Sequence, residues 1–192
     1  MAKPVYDEDL KKAVEVMRRG GIILYPTDTI WGIGCDASNS QAVRRIFELK
    51  KRSDSKSMLS LLDSDAKLGY YVPDIPDVAY DLMDMSEKPV TIIYDNVRHL
   101  APELVAADGS AGIRISREAF SRDLCARLGG AVVSTSANIS GEPSPQCFAE
   151  ISEAILDGVD YVVSYRQNES VRASASSIVK LGSGGLVKVI RE

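Results

Sequence analysis

Histidine is almost missing from this 192-residue sequence: His99 is the single one. That removes histidine-rich metal sites, and a Ser-His-Asp triad exists only if His99 serves it. A surface histidine is the simpler reading. Cysteine is scarce too. Cys35, Cys125 and Cys147 lie far apart and form no CxxC pair, which speaks against a disulfide framework or zinc site and for a reducing cytoplasm. No stretch approaches the ~18 apolar residues of a membrane span, and the N-terminus has no signal-peptide core. A GxxxxGK(S/T) run is absent, so a P-loop enzyme is excluded. Surplus positive charge is absent as well. The net charge is −4, which leaves room for a local basic patch but not for indiscriminate nucleic-acid binding.

What remains is an ordinary globular composition, 45% hydrophobic and 26% charged. One domain over residues 1–192 would bury roughly 70% of its extended-chain surface. Leu10, Ala13, Val14 and Met17 form a helical stripe over 7–19, stopped by Gly20-Gly21. "IILYP" (22–26) reads as a buried strand. A second helix, capped by Asn39 or Ser40, runs to about Lys51, with Val43, Ile46 and Phe47 inward and Lys50 next on that stripe. Strands are expected at 57–62, 89–95, 111–116, 131–136, 161–164, 175–181 and 186–191, and helices near 76–85, 117–128 and 146–156. Gly182 to Gly185 reads as a hairpin turn, not a phosphate loop, because no helix follows it. Strands and helices alternate, while short links near the C-terminus imply antiparallel pairing. The fold class is therefore α+β, α/β-like in order, with a single twisted mixed parallel/antiparallel sheet flanked by helices.

Three polar islands interrupt this pattern at strand ends. "YPTDTIWGIG" places Thr27, Asp28 and Thr29 after a buried strand, where Asp28 in a plain turn is the bland alternative. "KKRSDSKSM" (50–58) collects Lys50, Lys51, Arg52 and Lys56. Such a run is either a solvated face or a grip on a polyanion. Lys50, on an apolar stripe, must snorkel or meet a buried anion. "STSANISGEPSP" (134–145) offers Ser134, Thr135, Ser136 and Asn138, otherwise a simple connection. Together the islands suit an anion bearing hydroxyl or amide groups, such as a nucleotide, at the strand ends of one sheet.

At these residues the sequence resembles the YrdC-type threonylcarbamoyl-AMP synthases. The resemblance is carried by "YPTDTIWGIGCDA" (25–37), the KxR element Lys50-Lys51-Arg52 with Lys56, "GIRIS" (112–116) and "STSANISGEPSP", and it extends from about residue 8 to 191. It implies the short, single-domain form of a YrdC-like fold. The implied enzyme joins L-threonine, bicarbonate and ATP, with Mg2+ on the triphosphate, into threonylcarbamoyl-AMP and pyrophosphate. The product serves threonylcarbamoyladenosine formation on ANN-decoding tRNAs through downstream tRNA threonylcarbamoyl-transfer proteins. By the same resemblance Lys50 and Arg52 act at the reacting end. Arg52, Lys56, Ser116, Asn138, Gln146 and Arg191 reach ATP. Thr29, Arg114, Ser136 and Ser177 hold threonine, while Thr27, Ser134, Thr135 and Ser176 line the pocket. No protein ligand to a metal is implied.

The sequence also departs from that family. Ser53, Ser57 and Ser116 stand at usual proline positions, Lys180 at a usual aspartate and Trp31 at a usual tyrosine. "MSEKPVT" replaces a Trp-Pro-Gly-Pro stretch. These changes alter loops and pocket shape, hence the expected amino-acid substrate, without deleting the cations or the Ser136-Asn138 element. The alternative reading is a non-catalytic RNA-binding protein of the same fold, gripping tRNA or double-stranded RNA through Arg44, Arg45, Lys51 and Arg52.

Overall fold

The computed structural model describes residues 3–51, 58–182 and 186–191. The N-terminal stripe becomes helix α1 (Asp7–Arg18), with Leu10, Ala13, Val14 and Met17 all buried. Gly20 follows at φ 82°, a left-handed conformation that only glycine adopts without strain. The chain then enters strand β1 (Ile23–Tyr25), buried at every residue. A strand the sequence did not announce comes next, β2 (Gly32–Gly34), paired antiparallel with β1. Its glycines are required by close packing: a Cβ on Gly34 would lie 2.4 Å from the Val133 carbonyl oxygen and 2.6 Å from the Tyr25 ring.

Helix α2 (Ser40–Leu49) is capped as expected, with the Asn39 side chain accepting from the Ala42 N–H at 3.0 Å. It ends at Leu49, so Lys50 is its C-cap rather than an interior residue. Strand β3 (Leu59–Leu62) follows, then the short helix α3 (Leu68–Tyr71), helix α4 (Asp77–Met85) and strand β4 (Val90–Tyr94). Strand β5 (Ala111–Ile115), helix α5 (Ala119–Leu128) and strand β6 (Val132–Ser136) agree with the sequence pattern. The helix expected over 146–156 does not form as one piece. Phe148–Glu150 makes a 3-10 turn, Ile151 is extended at ψ 128°, and helix α6 starts afresh as Glu153–Gly158. Strands β7 (Tyr161–Val162), β8 (Ser177–Leu181) and β9 (Val187–Arg191) close the chain. β8 and β9 pair antiparallel, with the Gly182 N–H donating to Leu186 O; residues 183–185 of the expected hairpin turn lie outside the described residues.

The strands form one nine-stranded sheet in the order β7-β1-β2-β6-β3-β5-β4-β8-β9. Pairs β1/β7, β3/β5 and β4/β8 are parallel and the rest antiparallel. This is the mixed α+β architecture the pattern called for. Helices α1 and α5 pack on each other, α1 also on β1 and β7, and α5 on β3. Alternation along the strands sorts the side chains. Ile92 and Ile113 enter the core with Phe120, Leu124 and Leu10. Their neighbours Thr91, Ile93, Gly112 and Arg114 line a cleft instead. Among the described residues no helix is long and apolar enough to cross a membrane.

Candidate active site

The cleft has a volume of about 500 Å³. Hydroxyls come from Thr29, Thr91, Ser134, Thr135, Ser136, Ser144 and Ser176, and cationic charge from Arg114 and Arg191. Apolar walls are built by Trp31, Met58, Leu59, Ile93, Ile178 and Ile190. No acidic side chain is among the described residues that line it. The balance of charge therefore favours an anionic guest with groups that accept or donate hydrogen bonds.

Arg114 is the anchor of the floor. Its phase on β5 turns it into the cleft, yet its side chain is only 2% exposed. One guanidinium nitrogen lies 3.0 Å from Asp28 Oδ1 and donates to Thr29 Oγ1 at 3.3 Å. By distance Asp28 and Arg114 are an ion pair, but their alignment falls short of a hydrogen bond: both Asp28 oxygens and Arg114 Nε lack hydrogen-bond partners. Burial pushes the Arg114 guanidinium below its ordinary value, Asp28 opposes that shift, and Arg191 adds to it. It remains a cation whose fork is only partly used, which is what a bidentate carboxylate site requires.

The loop 27–29 is set by its own threonines. Thr27 Oγ1 donates to Ile30 O at 2.9 Å and accepts from the Thr29 N–H at 3.0 Å. The two threonine hydroxyls are 3.0 Å apart. On the other side of the cleft Thr91 Oγ1 and Ser176 Oγ share a 2.9 Å hydrogen bond. Arg191 donates twice to Ser176 O, at 3.0 and 2.8 Å, from its place on β9. Between Ile178 and Val179 the β8/β9 register shifts, and this irregularity lets the consecutive residues Ile190 and Arg191 both line the cleft.

Lys50 is 2% exposed, and its ammonium reaches backbone oxygens of the loop after β6. Its Nζ donates to Ser136 O at 2.5 Å and Asn138 O at 2.6 Å, and its own carbonyl accepts from the Ser140 N–H at 2.9 Å. The C-terminus of α2 thus clamps the loop after β6. Within that loop Asn138 Nδ2 donates to Ile139 O and Glu142 O, while its buried Oδ1 has no partner.

Of the residues singled out from the sequence, Thr29, Arg114, Ser134, Thr135, Ser136, Ser176 and Arg191 converge on the cleft. Others are placed elsewhere. Thr27 is buried behind its loop. Ser116 is turned to Ser121, with oxygens 2.7 Å apart. Gln146 is exposed and accepts from Arg172 Nε at 2.5 Å. Ser177 points away because its neighbours Ser176 and Ile178 take the cleft face. Lys50 and Asn138 shape the rim rather than line it. Arg52 and Lys56 lie outside the described residues. Thr91, Ser144 and the isoleucines went unnoticed in the sequence; the period-two phase of β4 and β8 was the available signal. Two of the four cations of the RNA-binding alternative are already paired, Arg44 with Glu103 at 2.7 Å and Arg45 with Asp160 at 2.8 Å. His99 is exposed, stacked on Tyr70 at 4.1 Å and not among the residues lining the cleft.

Comparison with known proteins agrees with this geometry. A family profile for Sua5, YciO and YrdC proteins, described as "Telomere recombination", matches residues 15–192. A protein of Xanthomonas euvesicatoria pv. vesicatoria named threonylcarbamoyl-AMP synthase is 38% identical over 161 residues, covering 81% of this chain and 84% of that protein. Among solved structures, E. coli YciO superposes with a TM-score of 0.84 at 23% identity, over 99% of this chain and 91% of that one. P. abyssi Sua5 complexed with L-threonine superposes with a TM-score of 0.85 at 21% identity, over 98% of this chain. This chain spans only 55% of that Sua5, so the likeness is one of fold. From profile, sequence and architecture together, the chain belongs to the Sua5/YciO/YrdC family.

Proposed function

We propose that this protein is an L-threonylcarbamoyladenylate synthase, a nucleotidyltransferase that makes threonylcarbamoyl-AMP and pyrophosphate from L-threonine, bicarbonate and ATP. The observation that carries the reading is the partly used guanidinium of Arg114, buried at the floor of a hydroxyl-rich cleft in which no acidic side chain is among the described lining residues. It would take the threonine carboxylate, with Thr29 and Ser136 beside it. The threonine amine, in its neutral form, adds to the carbon dioxide that bicarbonate yields on protonation and loss of water, and the proton the amine releases balances the one bicarbonate takes up. An oxygen of the resulting carbamate attacks the α-phosphorus of ATP, the bond to the β-phosphate oxygen breaks and pyrophosphate leaves. Such chemistry depends on positioning and charge neutralisation more than on a covalent nucleophile. Arg191, Arg52 and Lys56 supply cations for the phosphates. Magnesium enters with ATP and is held mainly by phosphate oxygens. Lys50, with its ammonium on two backbone carbonyls, acts through the loop it clamps.

The same proposal places the product in tRNA threonylcarbamoyladenosine synthesis in the cytoplasm. Its test is pyrophosphate release by purified protein with ATP, magnesium, bicarbonate and threonine, omitting one component at a time. Release that needs both threonine and bicarbonate, and collapses in Arg52→Ala, is the expected result. Release driven by another amino acid changes the substrate, and no release from folded protein sinks the reading.

A further inference from the structure

The connection between β7 and β8, residues 163–176, crosses the molecule, because β7 is at one edge of the sheet and β8 lies next to the other edge. Near its start Arg166 stands at φ 69°, in the left-handed region where a side chain crowds its own backbone and glycine is the natural occupant. Its guanidinium is engaged in three directions. Nη1 donates to Thr27 O at 3.1 Å and lies 3.6 Å from Glu118 Oε1, while Nε donates to Glu169 Oε2 at 2.7 Å. The side chain is 26% exposed. The left-handed backbone carries some conformational cost, and it sets the guanidinium among these three partners.

What that side chain holds is the loop 27–29. Thr27 O is its direct contact. Thr27 and Thr29 bond each other, Thr29 Oγ1 accepts from Arg114, and Asp28 between them is the ion-pair partner of Arg114. Glu118, the second partner of Arg166, also caps α5 by accepting from the Phe120 and Ser121 N–H groups. Arg166 therefore ties the loop to the helix that follows the strand bearing Arg114. The threonine bonds set the internal shape of the loop, and the Arg166 contact anchors that loop to the rest of the molecule, where Asp28 and Thr29 meet the Arg114 fork.

We propose that Arg166 is a positioning residue for the amino-acid substrate, acting through Thr27 without touching the ligand; this rests on the synthase reading. Its effect falls on the threonine half of the site, since Arg191 on β9 does not depend on that loop. The test uses Arg166→Gly, which keeps the left-handed backbone without strain, and Arg166→Lys, which restores a cation near Thr27 O. Trp31, the single tryptophan, is 7% exposed, lies two residues beyond the loop, and reports how firmly the loop is held without any turnover. In Arg166→Gly the KM for threonine is expected to rise roughly tenfold and that for ATP by less than about twofold, with partial recovery in Arg166→Lys. Acrylamide quenching of Trp31 should increase in the glycine variant. A threonine KM at the wild-type value, or equal rises for both substrates, overturns the proposal. Should wild-type protein release no pyrophosphate, the synthase reading falls, and quenching alone decides: increased quenching upholds Arg166 as the loop's tie, and unchanged quenching overturns it.

Discussion

Arg114→Ala leaves Asp28 buried beside an apolar methyl group. Removing one member of a buried pair costs about 3–5 kcal/mol, so urea denaturation should show a loss of that order. Arg114→Lys keeps the charge but not the planar fork. It should fold and raise the threonine KM by roughly ten- to a hundredfold; an unchanged KM would remove Arg114 from the carboxylate site. Lys50→Met deletes charge-assisted bonds to Asn138 O and to Ser136 O, the latter keeping the Asn138 N–H as a donor. A loss of about 2–4 kcal/mol is expected from such bonds, and wild-type stability would show that the clamp is dispensable. At this scale the sequence revealed the chemistry better than the aim of each side chain. Thr29, Arg114 and the serines of 134–136 stood out by type and position. Ser176 and Ser177 could not be told apart, because one step along a strand reverses the face and only the β4/β8 register fixes which serine meets Thr91.

β2 is the element the sequence concealed. Gly-Ile-Gly is three residues long and two of them are glycines, which strands ordinarily avoid, and the reason at Gly34 is steric: the Tyr25 ring and the Val133 carbonyl occupy the space a side chain would need. Gly34→Ala is accordingly expected to lose about 1–3 kcal/mol by overpacking, measurable as a lowered melting temperature. The expected helix over 146–156 broke for the opposite reason, since apolar spacing continued through Ile151 while the backbone there turned extended. Where periodicity and packing agreed, as in α1, α2 and α5, bounds were legible to within about two residues. The edge pair β1/β7 also carries a pH response. Asp160 accepts from the Ile22 N–H at 2.7 Å and pairs with Arg45, and the Arg45 hydrogen bond holds its carboxyl below the usual range. Its stabilisation is complete above the unfolded value near ~3.9 and is lost as pH falls through the lower folded value. With both side chains 39% exposed, screening limits the contribution to below about 1 kcal/mol. The acid limb of a denaturation profile should therefore be slightly shallower in Asp160→Asn, and an identical limb would exclude the linkage.

For the molecule as a whole, the cleft draws on β2, β6, β3, β5, β4, β8 and β9 at once. Ligand binding is thus coupled to global unfolding rather than to one loop. Threonine and ATP together should raise the melting temperature, by the equivalent of about 2.7 kcal/mol at a hundred times the dissociation constant. Threonine alone should do less in Arg114→Lys than in the wild type. The sheet's composition was foreseeable as mixed, but its strand order was not, because order is decided by pairings between residues far apart in the chain.

That order bears on how the protein is made. Thr29, Arg114, Ser134 and Arg191 meet in space though they leave the ribosome at widely separated moments. A nascent chain that has not delivered β8 and β9 has a floor lacking one wall, and its β4 edge, destined for β8, waits unpaired. Substrates therefore cannot template the early stages of folding. Exposure of that edge during synthesis, rather than instability of the finished sheet, is where chaperone dependence and misassembly should concentrate.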